Sequence, residues 1–103
     1  LEHCGQQGDW KLFFAQFSEF WRILKPDGRL VGTVPMWDSP WAWGDPGHTR
    51  ILCAGSFSYL DQDHYKQVGV TSTSDYRKVW KGDFKVTLQE TEHQLAFVLK
   101  AIK

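Results

Sequence analysis

The sequence predicts an α/β fold in which one helix crosses over into a single parallel strand and antiparallel strands complete the chain. Three observations predict it: apolar residues at helical spacing from Asp9 to Leu24, a branched run from Arg29 to Val34, and alternating apolar residues through the last third. With 103 residues, 42% of them apolar, the chain is expected to form one globular domain, residues 1–103.

Trp10, Phe13, Phe14, Phe17, Trp21 and Leu24 recur at three- and four-residue steps, and Leu12, Phe20 and Ile23 widen the stripe. Asp9 can cap the free N–H groups at the start, and Lys25-Pro26 ends the helix because the residue before a proline is pushed out of the α region. Asp27-Gly28 turns the chain into Arg29–Val34, whose branched residues on both faces fit a strand covered on both sides, and Pro35 stops it. A helix leading at once into such a strand is the second half of a βαβ crossover, whose first strand would lie before Glu2. Residues 35–55, with three tryptophans and three glycines, read as a long structured loop. Phe57, Tyr59, Leu60 and Tyr65 fit one or two helical turns between Ser56 and Gln67, with Ser56 as cap. Thr73–Trp80 reads as a strand, followed by two more in which Phe84, Val86 and Leu88, then Leu95, Phe97, Leu99 and Ala101, alternate.

Composition narrows the function classes. Twelve basic residues balance twelve acidic ones, which removes the positive field expected of a nucleic-acid or anionic-membrane binder. No run approaches the roughly 18 apolar residues of a membrane span. Cys4 and Cys53 make no disulfide framework, and with no apolar leader segment the expected location is cytoplasmic. The cysteines with His3, His48, His64 and His93 lack the close paired spacing of a zinc site, so no metal is expected. Six Trp and seven Phe are many for so small a core, so some are expected at the surface or an interface.

In order, Leu1-Glu2-His3, the amphipathic helix ending in Leu24-Lys25-Pro26-Asp27-Gly28, Arg29–Pro35, and Asp45-Pro46-Gly47-His48 resemble the C-terminal half of class I S-adenosylmethionine-dependent methyltransferases. The resemblance spans essentially the whole chain, and Phe97–Lys103 looks like the family's last strand. It implies a partial Rossmann-like sheet in which Leu1-Glu2-His3 closes the fourth strand, Arg29–Val34 is the fifth, and an antiparallel hairpin finishes the sheet. Position 27 is Asp where the family usually has Gly, a residue that tolerates the same turn. The family's glycine-rich loop and ribose-binding acidic residue have no counterpart here. The chain alone is therefore expected to bind S-adenosylmethionine weakly or not at all and to be inactive without further polypeptide.

Residue by residue, the resemblance places Glu2 and His3 beside the cofactor, and Trp37, Trp41, Trp43, Asp45 and His48 on the acceptor-side loop facing a small molecule. His48 is the candidate general base. Other readings of the same residues stay open. Asp45–His48 also fits an Asp-initiated turn that needs no ligand, and the tryptophans also fit a cover over loop backbone. A bare edge where the fourth strand would pair predicts a homo-oligomer or domain-swapped dimer. The rival reading is a non-catalytic binding or assembly module that uses the Trp-rich loop 35–55.

Overall fold

A computed structural model describes all 103 residues. Helix α1 runs Trp10–Ile23, and the Asp9 side chain caps it by accepting from the Leu12 N–H at 3.1 Å. Leu24 is already extended, so the helix ends before Lys25-Pro26, and Asp27 turns the chain with φ +63°. Strand β1 follows at Arg29–Pro35. Two five-residue helices, α2 (Pro40–Gly44) and α3 (Ala54–Ser58), and a 3₁₀ helix at Gln62–Gln67 lie between it and the hairpin of β2 (Phe84–Glu90) and β3 (Gln94–Ala101).

The sheet has three strands in the order β1-β3-β2, and both pairings are antiparallel. This overturns the expected Rossmann-like sheet with its parallel strand. Arg29–Val34 is a strand, but its partner is β3, in a register from Arg29 opposite Lys100 to Pro35 opposite Gln94. Leu1–His3 forms a turn and not a strand, so α1 links a turn to a strand and there is no βαβ crossover among these residues. Nor is β1 covered on both sides. Val31 stays 68% exposed on the face that carries Lys85 and Lys100 across the sheet, whereas Val34 is buried.

The buried face is formed by Leu95, Phe97, Leu99 and Ala101 of β3 with Phe84 of β2, the alternation the sequence predicts. Phe97 stacks on Phe57 of α3 with ring centres 4.8 Å apart, and Phe57 in turn meets Phe17 of α1 at 6.2 Å. One apolar cluster thus joins helix, connecting turns and sheet, and each fully buried Phe contributes about 1.5–3 kcal/mol relative to exposure.

Three further expectations need correction. Residues 35–55 are not loop throughout, because Ser39 caps α2 through the Trp41 N–H with Pro40 in the first turn. Ser56 lies in the first turn of α3 and takes the Cys53 N–H at 3.2 Å, so Cys53 holds the cap position. Thr73–Trp80 is no strand. Asp75 folds back to accept from the Arg77 N–H, and the Trp80 N–H bonds to the Tyr76 carbonyl at 2.8 Å, which closes a helical turn. The Trp80 ring is wholly buried beside Phe84 and donates its Nε1–H to the Leu60 carbonyl, so the irregular segment is anchored without any ladder.

Candidate functional site

Glu2 and His3 are positioned by backbone stitching. The Glu2 carbonyl accepts from the Thr49 N–H at 2.9 Å, and the Thr49 carbonyl accepts from the Gln7 N–H at 3.0 Å. Buried Arg50 donates its Nε–H to the Leu1 carbonyl at 2.8 Å and a second N–H to the Gln16 side chain of α1. These bonds lay residues 1–7 along residues 48–51.

The Asp45-Pro46-Gly47-His48 turn meets this strip from the other side. Asp45 Oδ1 accepts from the Gly47 N–H at 2.8 Å, and the Asp45 carbonyl accepts from the His48 N–H at 3.0 Å. The expected Asp-initiated turn is therefore present, and it also carries the candidate site. The His3 ring lies against Gly47, where an added Cβ would stand 3.0 Å from Nδ1. Only glycine admits that approach without displacing the ring.

Four of the residues singled out from the sequence converge here. Glu2 Oε1 lies 3.9 Å from His3 Nε2 and 3.8 Å from His48 Nε2, and Asp45 Oδ2 lies 3.5 Å from His48 Nε2. The two imidazoles meet edge to face with centres 4.6 Å apart. His3 Nδ1 is 2.8 Å from the Gly47 carbonyl and His48 Nδ1 is 3.2 Å from the Ala42 carbonyl. A carbonyl only accepts, so both Nδ1 atoms carry the proton and each neutral ring keeps a lone pair on Nε2. Burial pushes the Glu2 carboxyl up. Its own backbone N–H, the ammonium at Leu1 and His48 in its protonated form outweigh burial and hold it below the ordinary carboxylate range.

The tryptophans do not join this cluster as a group. Trp37, Trp41 and Trp43 are 55%, 65% and 70% exposed, and the Trp43 Nε1–H donates to the Trp37 carbonyl at 2.8 Å. Trp41 alone shares with Glu2 a cleft of about 500 Å³, whose other wall includes Pro35, Thr91 and His93. His93, which bonds Ser39 Oγ through Nδ1 at 3.1 Å, was not foreseen as a lining residue. Nor was a second, more apolar hollow of about 240 Å³ bounded by Trp10, Phe13, Tyr59 and Tyr76. The helical spacing of Trp10 and Phe13 marked these residues only as core.

Compared with family models, with curated proteins and with solved structures, the chain gives no match. No helix is long and apolar enough to cross a membrane.

Proposed function

We propose that this chain is the acceptor-side, C-terminal portion of a cytoplasmic S-adenosylmethionine-dependent methyltransferase, with His48 as its proton acceptor. The reading rests on the site and not on a parallel sheet, which these residues lack. One observation carries it. His3 and Gly47, 44 positions apart, are hydrogen-bonded, so the Glu2-His3 pair and the Asp45–His48 turn singled out by the resemblance form one site beside a cleft.

S-adenosylmethionine supplies a methyl group already activated on a sulfonium, so the protein has to align the acceptor and take its proton. His48 Nε2 faces the Glu2 and Asp45 carboxylates behind Glu2, which itself lines the cleft, so in the metal-free chain the proton reaches His48 past Glu2 and the two carboxylates stabilise the imidazolium that results. The acceptor gains the methyl carbon as it loses its proton to His48, and the sulfur leaves as a neutral thioether. Ionised Glu2 suits the hydroxyl or ammonium donors of the methyl source, although no glycine-rich loop here adds to that contact.

The test joins this chain to the polypeptide encoded directly upstream of Leu1. Isothermal titration with S-adenosylmethionine and its demethylated product is expected to give micromolar binding, and His48→Ala to slow methyl transfer about 10²–10⁴-fold. No heat from the extended chain, or an upstream frame without a strand and glycine-rich turn, overturns the reading.

The exposure of three indoles favours a second reading, an assembly module whose tryptophans and free β1 edge bind another copy of the chain. It predicts a dimer by sedimentation at micromolar concentration that Trp41→Ser with Trp43→Ser dissociates. A stable monomer refutes it.

A further inference from the structure

We propose that Glu2, His3, Asp45 and His48 form a binding site for one divalent transition-metal ion, matched best to Zn²⁺. The proposal does not rest on methyl transfer, because the whole ligand set lies within these 103 residues.

One ligand atom from each of Glu2, His3 and His48 falls within 4.8 Å of the others, and Asp45 Oδ2 adds a fourth donor 3.5 Å from His48 Nε2. Every group facing the centre is an acceptor. With Nδ1–H committed to the Gly47 and Ala42 carbonyls, both Nε2 lone pairs point at carboxylate oxygens. Gaps of 3.5 to 3.9 Å are long for a direct hydrogen bond, so in the neutral form of the rings converging lone pairs and negative charge are left without a donor between them, and either a second proton on a ring or a metal ion fills the gap. A cation relieves that arrangement.

The same carbonyls do what the outer shell of a metal site does, fixing ring orientation and tautomer and raising the basicity of Nε2. No lysine or arginine pairs with either carboxylate; Glu2 Oε2 meets the Leu1 ammonium at 3.3 Å, while Oε1 faces the histidines. Two imidazoles and two carboxylates are a borderline-soft set that suits Zn²⁺ better than Mg²⁺ or Ca²⁺. Bonds of about 2.0–2.2 Å in a tetrahedron place donors about 3.3–3.5 Å apart, so the gaps of 3.5, 3.8 and 3.9 Å close by a few tenths of an ångström, while separations near the 4.8 Å limit of the Glu2, His3 and His48 cluster close by about 1 Å through rotation of the exposed His3 and Asp45 side chains. His48 and Glu2 form its inner wall, and the exposed His3 and Asp45 leave an entry path. Sequence spacing pointed away from a metal because the ligands pair across the fold. Bound there, the ion uses the His48 lone pair, and a Lewis acid at the cleft takes over from His48 in activating an acceptor.

The test is isothermal titration of the chain with ZnCl₂ at neutral pH, repeated with Co²⁺ for its visible spectrum. Expected are one ion per chain with micromolar or tighter affinity, tetrahedral Co²⁺ absorption and no thiolate charge-transfer band. His3→Ala, at an exposed position, is expected to keep the far- and near-UV circular dichroism and weaken Zn²⁺ binding at least about 10–100-fold. His48→Ala behaves the same, and Cys4→Ser with Cys53→Ser leaves binding unchanged. Absence of stoichiometric binding, affinity unchanged in both histidine variants, or loss of binding on removing the cysteines overturns the proposal.

Discussion

Gly32→Ala tests the central contact of the sheet. Gly32 lies opposite Phe97 in the β1–β3 ladder, and a Cβ built there would stand 2.6 Å from Phe97 Cζ and 3.1 Å from Cε1. Ordinary carbon contacts begin near 3.5 Å, so the ring has to retreat by about 1 Å. It has nowhere to go, because Phe97 is buried and its ring is stacked on Phe57, which is itself fully buried. Overpacking of this kind costs about 1–3 kcal/mol. With a urea slope of about 1–3 kcal/mol/M, the unfolding midpoint falls on the order of 1 M. Phe97→Leu loses the stacked ring but removes the atoms that clash, so Gly32→Ala adds little further destabilisation on that background. The assay is urea unfolding followed by tryptophan fluorescence for both single variants and the double variant. Additive effects, or a Gly32→Ala midpoint equal to that of the parent, would show that the ring does not lie over β1.

Asp83 gives a pH prediction. Burial, then the nearby Asp61 and Asp63, raise its carboxyl above the ordinary 3.8 despite the hydrogen bond from the Gln62 N–H. A raised folded pKa contributes stability fully below the unfolded value and loses it as pH rises through the folded one. Asp83→Asn retains an acceptor without the charge, so at pH 7 it is expected to match or exceed the parent by up to about 0.5 kcal/mol, a gain that vanishes in acid. Asp83→Ala, which leaves the Gln62 N–H unpaired, is less stable at every pH. Thermal unfolding from pH 3 to 8 checks both, and an Asn variant less stable than the parent at neutral pH refutes the account. Arg50→Met keeps the apolar stem but removes the bonds to the Leu1 carbonyl and Gln16, an expected loss of about 1–3 kcal/mol. Because those bonds tether residues 1–7, Zn²⁺ affinity falls with stability. Unchanged affinity would mean that the Thr49–Glu2 pairing alone positions the site.

Where local pattern decided structure, the sequence was legible. Helix α1 and the β2–β3 hairpin follow from 3.6- and 2-residue periods that extend over enough residues to outweigh competing conformations. The direction of β1's pairing was not, because the Arg29–Val34 run is equally apolar whether its neighbour is parallel or antiparallel. Only the hairpin returning through β3 determines it. Thr73–Trp80 misled for a related reason. Its threonine, valine and aromatics favour a strand locally, but burying the Trp80 ring beside Phe84, with its N–H on Leu60, requires a turn at Asp75–Arg77 that no ladder allows.

The site divides in the same way. Glu2, His3, Asp45 and His48 were each visible as residues able to do chemistry, and the Asp45–Gly47 turn was readable from its own composition. Their convergence was not, since it depends on residues 1–7 docking against residues 48–51 through Arg50, a residue with no motif around it. Spacing rules for metal sites look for all ligands a few positions apart, whereas here the Glu2-His3 pair meets the Asp45–His48 pair, with Glu2 reaching His48 across 46 positions. What the sequence does record is the small residue that docking demands. Gly47 permits the His3 ring to reach the turn, and the carbonyl that fixes its tautomer belongs to the same residue. A side chain at position 47 would therefore push the exposed His3 ring back by a few tenths of an ångström and strain its bond to the Gly47 carbonyl, which couples the fold of a four-residue turn to whichever ligand, proton or metal ion, the histidines hold.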